Sequence, residues 1–486
     1  MTPDATRAAA ARRPPPALDL LALPGLGRVL RHRTWLQWPL LLLSGAIVLH
    51  GLLGPQMAPK NLATLLVWVH YRGLLVLALL AAGNLFCLAC PFMLPRELAR
   101  RLSPPTRAWP RALRGKGLSV ALLVVVLFLY EWLDLWASPA ATAWLVVGYF
   151  VAALVVDALF KGASFCKSVC PIGQFNFVAS SLSPLEVTVR DTATCDTCTG
   201  HECITGARAP AAPEVITARG CELGLFLPEK HGNMDCTFCL DCARACPHDN
   251  VGLTTRLPGT ELFEDRSGSG VGRLSRRGDL SLLAVVFTFG ALLNAFAMVS
   301  PVYAFQQWIA DALGTTSEAA VLAVLFGLLL VVEPVLLLGG AAALTRRVLA
   351  SPERWLTVAA RFAYGLVPLG FGIWLAHYGF HLLTGLWTVV PVTQRALSDA
   401  GLPLLGEPRW GLGGFSMQVV QPIEQGLLLL GLMGSFGVLW QIARREAPRR
   451  TAAAAWPWLA LALALYASAV WLLNQPMEMR GTFLGA

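Results

Sequence analysis

The chain has 486 residues, 56% of them hydrophobic and only 14% charged, with a formal net charge of +9. About a quarter of the residues of a soluble domain carry charge, so this balance excludes an ordinary soluble enzyme. The positive excess does not call for nucleic acid, because membrane proteins concentrate Lys and Arg in their cytoplasmic loops.

The opening stretch, MTPDATRAAAARRPPPALDL, is basic and rich in Ala and Pro. It contains no apolar run followed by a small-residue cleavage site, so no removable signal peptide is expected. Residues 1–34 are expected to form a poorly ordered cytoplasmic lead-in. Apolar runs of about 20 residues, long enough to cross a hydrocarbon core of ~30 Å as helix, then recur along the chain. Nine spans are predicted, over roughly 35–53, 63–86, 117–136, 143–160, 280–300, 319–343, 362–384, 425–441 and 456–473. The expected fold class is mainly α, a polytopic helical membrane protein. A four-helix membrane domain over 35–183 precedes a five-helix one over 279–486.

Basic residues set the expected orientation. Arg96, Arg100, Arg101, Arg107, Arg111, Arg114 and Lys116 follow the second span. Arg273, Arg276 and Arg277, then Arg346 and Arg347, then Arg444, Arg445, Arg449 and Arg450 mark later connections on the same side. The opposite loops hold only Lys60, Arg395, Arg409 and Arg480. A positive-inside bias of this kind implies a cytoplasmic N-terminus and a periplasmic C-terminus in a bacterial inner membrane. Trp456, Trp458 and Trp471 read as an interfacial belt.

Residues 184–278 differ from everything around them: polar, with no spanning run, and containing TARG, PEKHGNMD and RSGSGVG. They form an insert on the cytoplasmic side, expected to be a small α+β ferredoxin-like domain. All twelve cysteines lie between positions 87 and 246, mostly two or three residues apart. Such close neighbours are more often metal ligands than partners in a structural disulfide. In CTFCLDCARACP, Cys236, Cys239 and Cys242 can turn toward one centre. Cys246, followed by Pro247, has the position that ligates the other cluster in two-cluster ferredoxins. A second motif exists: Cys195, Cys198 and Cys203 in CDTCTGHEC, with Cys221 further on. Eight thiolates suit two [4Fe–4S] clusters. Crossed ligation gives Cys195, Cys198, Cys203 and Cys246 to one, and Cys221, Cys236, Cys239 and Cys242 to the other. Local ligation stays open, because four residues separate Cys198 from Cys203 and no proline follows Cys221. Paired CxxC motifs also suit zinc, but a third close cysteine and a Cys-Pro are uncommon there. His201, His231 and His248 border the motifs as expected surface residues.

A weak internal repeat precedes the insert. The first hairpin ends in FCLACPF and the second in FCKSVCPIG, each bringing a cysteine pair and a helix-stopping proline to the inner surface. Cys87, Cys90, Cys166 and Cys170 are thereby candidates for a shared metal or a redox-active dithiol.

Hairpin ends of this form, joined to a double-cluster insert, resemble the NosR/NapH/CcoG-type membrane polyferredoxins, with a FesM-like membrane iron–sulfur protein as a neighbour within that group. The resemblance covers roughly residues 35 to 300. It implies two [4Fe–4S] clusters and electron passage at the inner membrane, in quinol oxidation, support of nitrous-oxide or nitrate reduction, or metal handling during oxidase assembly. The implied partners are a periplasmic respiratory reductase or cytochrome c, the quinone pool and a soluble ferredoxin. Two departures stand out: two residues instead of three separate Cys87 from Cys90, and the outer loops are too short for a flavin-bearing periplasmic domain.

Polar groups inside spans are costly and therefore informative. His50 and His70, with Arg72 beside them, suit either a haem or quinone headgroup or interfacial anchoring. Glu333, before Pro334, falls near mid-membrane. His377 and His381 share one helical face, a spacing fit for a metal or haem contact. Met477 and Met479 are soft donors that suit copper. Electron transfer is the leading functional reading. Copper-centre assembly, using His377, His381, Met477 and Met479, is the alternative. A cluster-regulated transporter is a third and would require broken helices in the last five spans.

Overall fold

The computed structural model describes residues 18–102 and 104–476. It is mainly helical, with eight helices among the described residues long and apolar enough to cross a membrane. In chain order we label the membrane helices α1 (Thr34–Leu53), α2 (Leu62–Ala82), α3 (Gly117–Trp132), α4 (Pro139–Leu159), α5 (Gly278–Phe296), α6 (Glu318–Leu349), α7 (Trp355–Thr384), α8 (Met417–Glu446) and α9 (Thr451–Leu473). Of these α3 is the exception: with 16 residues it falls short of the usual spanning length. An amphipathic helix, Pro301–Leu313, and another, Val389–Asp399, lie in connections between the spans.

Among the described spans, α5 and α7 are the most deeply buried. Small residues let α7 and α8 approach closely, as in other membrane helix pairs: a Cβ on Gly372 would stand 3.0 Å from the Leu427 carbonyl oxygen and 3.1 Å from the Gly431 Cα. Trp458 is fully buried, stacked on Phe362 at 4.8 Å, with its indole N–H donating to Thr345 Oγ1. It is therefore a core residue and not part of an interfacial belt, whereas Trp456 and Trp471 are exposed.

Three π-helical turns interrupt the regular ladder, at Leu65–Tyr71, Phe165–Val169 and Leu328–Val332. The last precedes Pro334, whose ring and missing N–H are incompatible with a straight helix. The second ends at Cys170, whose N–H reaches back to the Phe165 carbonyl at 2.8 Å.

In the insert, β1 (Leu185–Val189) pairs antiparallel with β4 (Val251–Thr255), Leu185 opposite Thr255 and Val189 opposite Val251. A second antiparallel pair joins β2 (Ala207–Ala209) to β3 (Ala212–Ala218). Both cysteine motifs lie between β1 and β4.

Residues 18–33 depart from the expected loose lead-in. Asp19 accepts from the Leu253 amide at 3.0 Å and pairs with Arg190 at 2.7 Å. Arg31 pairs with Asp249, and the buried Arg33 with Asp241 at 2.9 Å. This segment clasps the insert.

The insert docks on the bundle through charges that the sequence presents as a loop-bound basic cluster. Arg96, 1% exposed, contacts Asp157 of α4 at 3.1 Å and Glu222 of the insert at 3.3 Å. Arg100 pairs with Glu222 at 2.7 Å, and Lys116 with Asp235. On the far half, Arg445 of α8 donates to the Phe263 carbonyl. Arg96, Arg100, Lys116 and Arg445, drawn from two of the basic clusters, thus lie at the end of the bundle that contacts the insert.

Candidate metal centres

Cys195, Cys198, Cys203 and Cys246 line a single pocket together with His201 and Asn250. Asn250 straps the two motifs: its side-chain amide donates to Cys195 Sγ at 3.3 Å and its backbone N–H to Cys246 Sγ at 3.4 Å. Its other atoms are fixed by Asp191, whose carbonyl accepts at 2.6 Å and whose N–H donates at 2.9 Å. His201 packs edge-on against Phe226 and His248 borders the same pocket, and both are exposed, as expected of surface residues.

The other motif is built on strained backbone. Between its cysteines, Phe238 and Leu240 adopt φ of 53° and 58°, a region that costs a side-chain-bearing residue free energy and persists only where the surroundings hold it. Both side chains are 1% exposed, so packing beneath the loop supports the turn. The Asn84 amide, at the end of α2, donates to the Cys236 carbonyl at 2.9 Å. Burial pushes the Cys236 and Cys239 thiols up to about 11; Lys230 opposes this at Cys236 and Arg33 at Cys239, while Cys221 adds to it at both. Burial also raises Cys242, with Cys239, Cys221 and Cys236 adding to it. Cys221 therefore keeps company with the second motif, and its N–H donates to the Cys203 carbonyl at 2.8 Å, joining the two sets. Sulfurs in such a setting hold a proton unless a cation takes its place.

The membrane pairs meet as well. Cys87, Cys90, Cys166 and Cys170 line one cavity, with Tyr71, Asn176 and Thr237 in its walls. Gly83 ends α2 at φ +67°, where a Cβ would stand 2.8 Å from Ser183 Oγ and 2.9 Å from the Phe238 ring. The glycine thereby turns the chain into the short helix Leu85–Leu88 that carries Cys87. On the second hairpin the π turn and Pro171 place Cys166 and Cys170. Asn176 donates to Cys87 Sγ at 3.4 Å, the Gly173 N–H to Cys170 Sγ at 3.2 Å, and Met93 Sδ lies 3.9 Å from Cys166 Sγ. No disulfide joins any of the twelve cysteines.

Among the described residues, no three His, Cys, Asp or Glu side chains are drawn together closely enough to hold one metal ion. This bears on His377 and His381, whose rings lie 5.1 Å apart, edge to face, buried on α7. His70 has a structural setting, with its ring nitrogens 3.3 Å and 3.2 Å from the Leu65 and Leu386 carbonyls. The Leu62 amide donates to His50 Nδ1 at 3.1 Å, tying the α1–α2 connection. Arg72 is held over the rings of Trp68, Tyr130 and Tyr378 at 5.1, 5.0 and 4.6 Å. Glu333 is half-buried beside the third π turn. Met477 and Met479 lie outside the described residues.

Sequence reasoning missed Asn176, Asn250 and Asp157. The first two stand shortly after a Cys-Pro, and Asp157 is an acid inside an apolar run; those are the signals that point to them.

The chain is similar to the Ferredoxin-type protein NapH of Escherichia coli (strain K12), 27% identical over 198 residues, which cover 37% of this chain and 65% of that protein. The match thus spans a little under two thirds of the relative's length. No family model matches, and no solved structure matches.

Proposed function

We propose that this is a membrane-bound iron–sulfur electron-transfer protein. It links a cytoplasmic or quinol donor to an acceptor in the membrane or periplasm, with the insert as a two-cluster ferredoxin-like domain on the cytoplasmic side. The carrying observation is that Cys246, from one motif, lines the pocket of Cys195, Cys198 and Cys203 from the other. Crossing of that kind is the pattern of two-cluster ferredoxins, and the likeness to a ferredoxin-type protein agrees with it.

Clusters held at these two sets take up and release electrons one at a time without a side-chain acid or base. The chain's own part is to hold and tune them. Asn250 donates hydrogen bonds to two sulfurs of the outer set (Cys195, Cys198, Cys203 and Cys246), which favours the more negative, reduced state. Lys230 and Arg33 do the same by charge at the inner set (Cys221, Cys236, Cys239 and Cys242). The packed Phe238 and Leu240 exclude water from the inner loop. Nitrous-oxide or nitrate reduction is the respiratory setting we favour for the acceptor.

Anaerobic purification in detergent, with iron and sulfide counts and EPR of the reduced protein, tests this reading. Serine at Cys198 and at Cys239 should each remove the iron of one set, about four atoms per Cys₄ site. Zinc in place of iron, or a colourless iron-free protein, refutes it.

A further inference from the structure

The cavity of the four membrane cysteines uses none of the insert's cysteines, yet its construction repeats theirs. In the insert, Cys246 precedes Pro247, its sulfur accepts the Asn250 N–H, and the Asn250 side chain donates to Cys195 of the other motif. In the membrane hairpins, Cys170 precedes Pro171, its sulfur accepts the Gly173 N–H, and the Asn176 side chain donates to Cys87 of the other hairpin. Donors at 3.2 and 3.4 Å in one site match donors at 3.4 and 3.3 Å in the other. Asn176 is fully buried within a short, nearly solvent-free helix, Pro171–Ser180, so its amide is held toward the sulfur.

Width and charge narrow the occupant. Four cysteines from two hairpins line one cavity, as four cysteines from the two motifs of the insert line one pocket. Tetrahedral zinc draws its sulfurs to about 2.3 Å from one centre, whereas a cubane spaces them around a wider body. Largely apolar walls keep four sulfurs protonated unless an occupant brings positive charge of its own. Thr237, between Cys236 and Cys239, lines the cavity, so the membrane site adjoins the inner set of the insert directly.

The geometry points to a third iron–sulfur cluster, a cubane held by Cys87, Cys90, Cys166 and Cys170 at the hairpin ends. This deepens the electron-transfer reading and rests on it, because it extends the insert's two sites into the membrane domain.

The test uses the full-length protein, purified without oxygen in detergent, with iron, sulfide, zinc and copper counted and the iron typed by Mössbauer spectroscopy. The expected wild-type content is about twelve irons, four for each Cys₄ site. C90S/C166S should fall to about eight while keeping the EPR signals of the insert. N176A, which removes no ligand, should keep all its iron and shift the potential of one signal alone; it decides the matter should the double variant fail to fold. About eight irons in the wild type, with Cys87, Cys90, Cys166 and Cys170 open to alkylation or holding one copper or zinc, would overturn the third cluster and leave the insert reading intact. Loss of iron from the insert variants C198S and C239S, with the membrane variant unchanged, would also overturn it. A protein with no iron at all would sink both.

Discussion

Replacing Lys116 by Met should loosen the insert from the membrane domain. Lys116 and Asp235 are each 2% exposed at the side chain, and their charged atoms stand 2.5 Å apart. At that distance, with an effective dielectric of about 20, the gross attraction is about 7 kcal/mol. Taking two ions from water costs several kcal/mol each, so the intact pair contributes little net stability. The single replacement is different, because it leaves the Asp235 carboxylate buried without its partner. A stranded charge of this kind costs about 3–5 kcal/mol. K116M/D235N removes both charges, and Asn tolerates the φ of 62° that Asp235 adopts. The double variant should therefore recover more than half of the loss. Stability would be followed by denaturant titration in detergent, reading protease resistance of the insert. The reasoning is refuted if K116M costs less than about 1 kcal/mol, or if the double variant is as weak as the single one.

Three further outcomes are expected. N250A should lower the reduction potential of one insert signal by about 40 mV, from about 1 kcal/mol for a neutral hydrogen bond and about 59 mV per tenfold change for one electron; redox titration by EPR checks it. Removing iron with a chelator under reducing conditions should open residues 192–206 and 221–246 to hydrogen exchange while α5, α7 and α8 stay protected, since only the former depend on metal ligation for their turns. G372V should destabilise the bundle by about 1–3 kcal/mol through overpacking, because its Cβ position is already 3.0 Å from backbone of α8; thermal unfolding in detergent measures this.

Much of the architecture was legible in one dimension because a bilayer imposes a length and a polarity that a sliding window can read. Nearly every predicted span overlaps a long apolar helix, and the polar insert stands out by contrast. The exception, 117–136, shortens to the helix Gly117–Trp132, a boundary that composition does not mark. The cysteine spacings pointed to metal ligation for the same one-dimensional reason, since ligands of one centre often come from one short loop.

The amino-acid order alone could not decide which distant sulfurs keep company. Only the β1–β4 pairing, with Asn250 just before β4, brings Cys246 to Cys195, and only the packing of two hairpins brings Cys87 and Cys90 to Cys166 and Cys170. Nor could it separate arginines that face a membrane surface from those buried in ion pairs: Arg96 and Arg107 belong to one basic run, yet the first is enclosed by Asp157 and Glu222 and the second is exposed. Periodicity and spacing record what a residue's near neighbours in the chain require. The partner of a buried charge or of a sulfur is set by where whole helices come to rest, and that is decided by packing across the molecule.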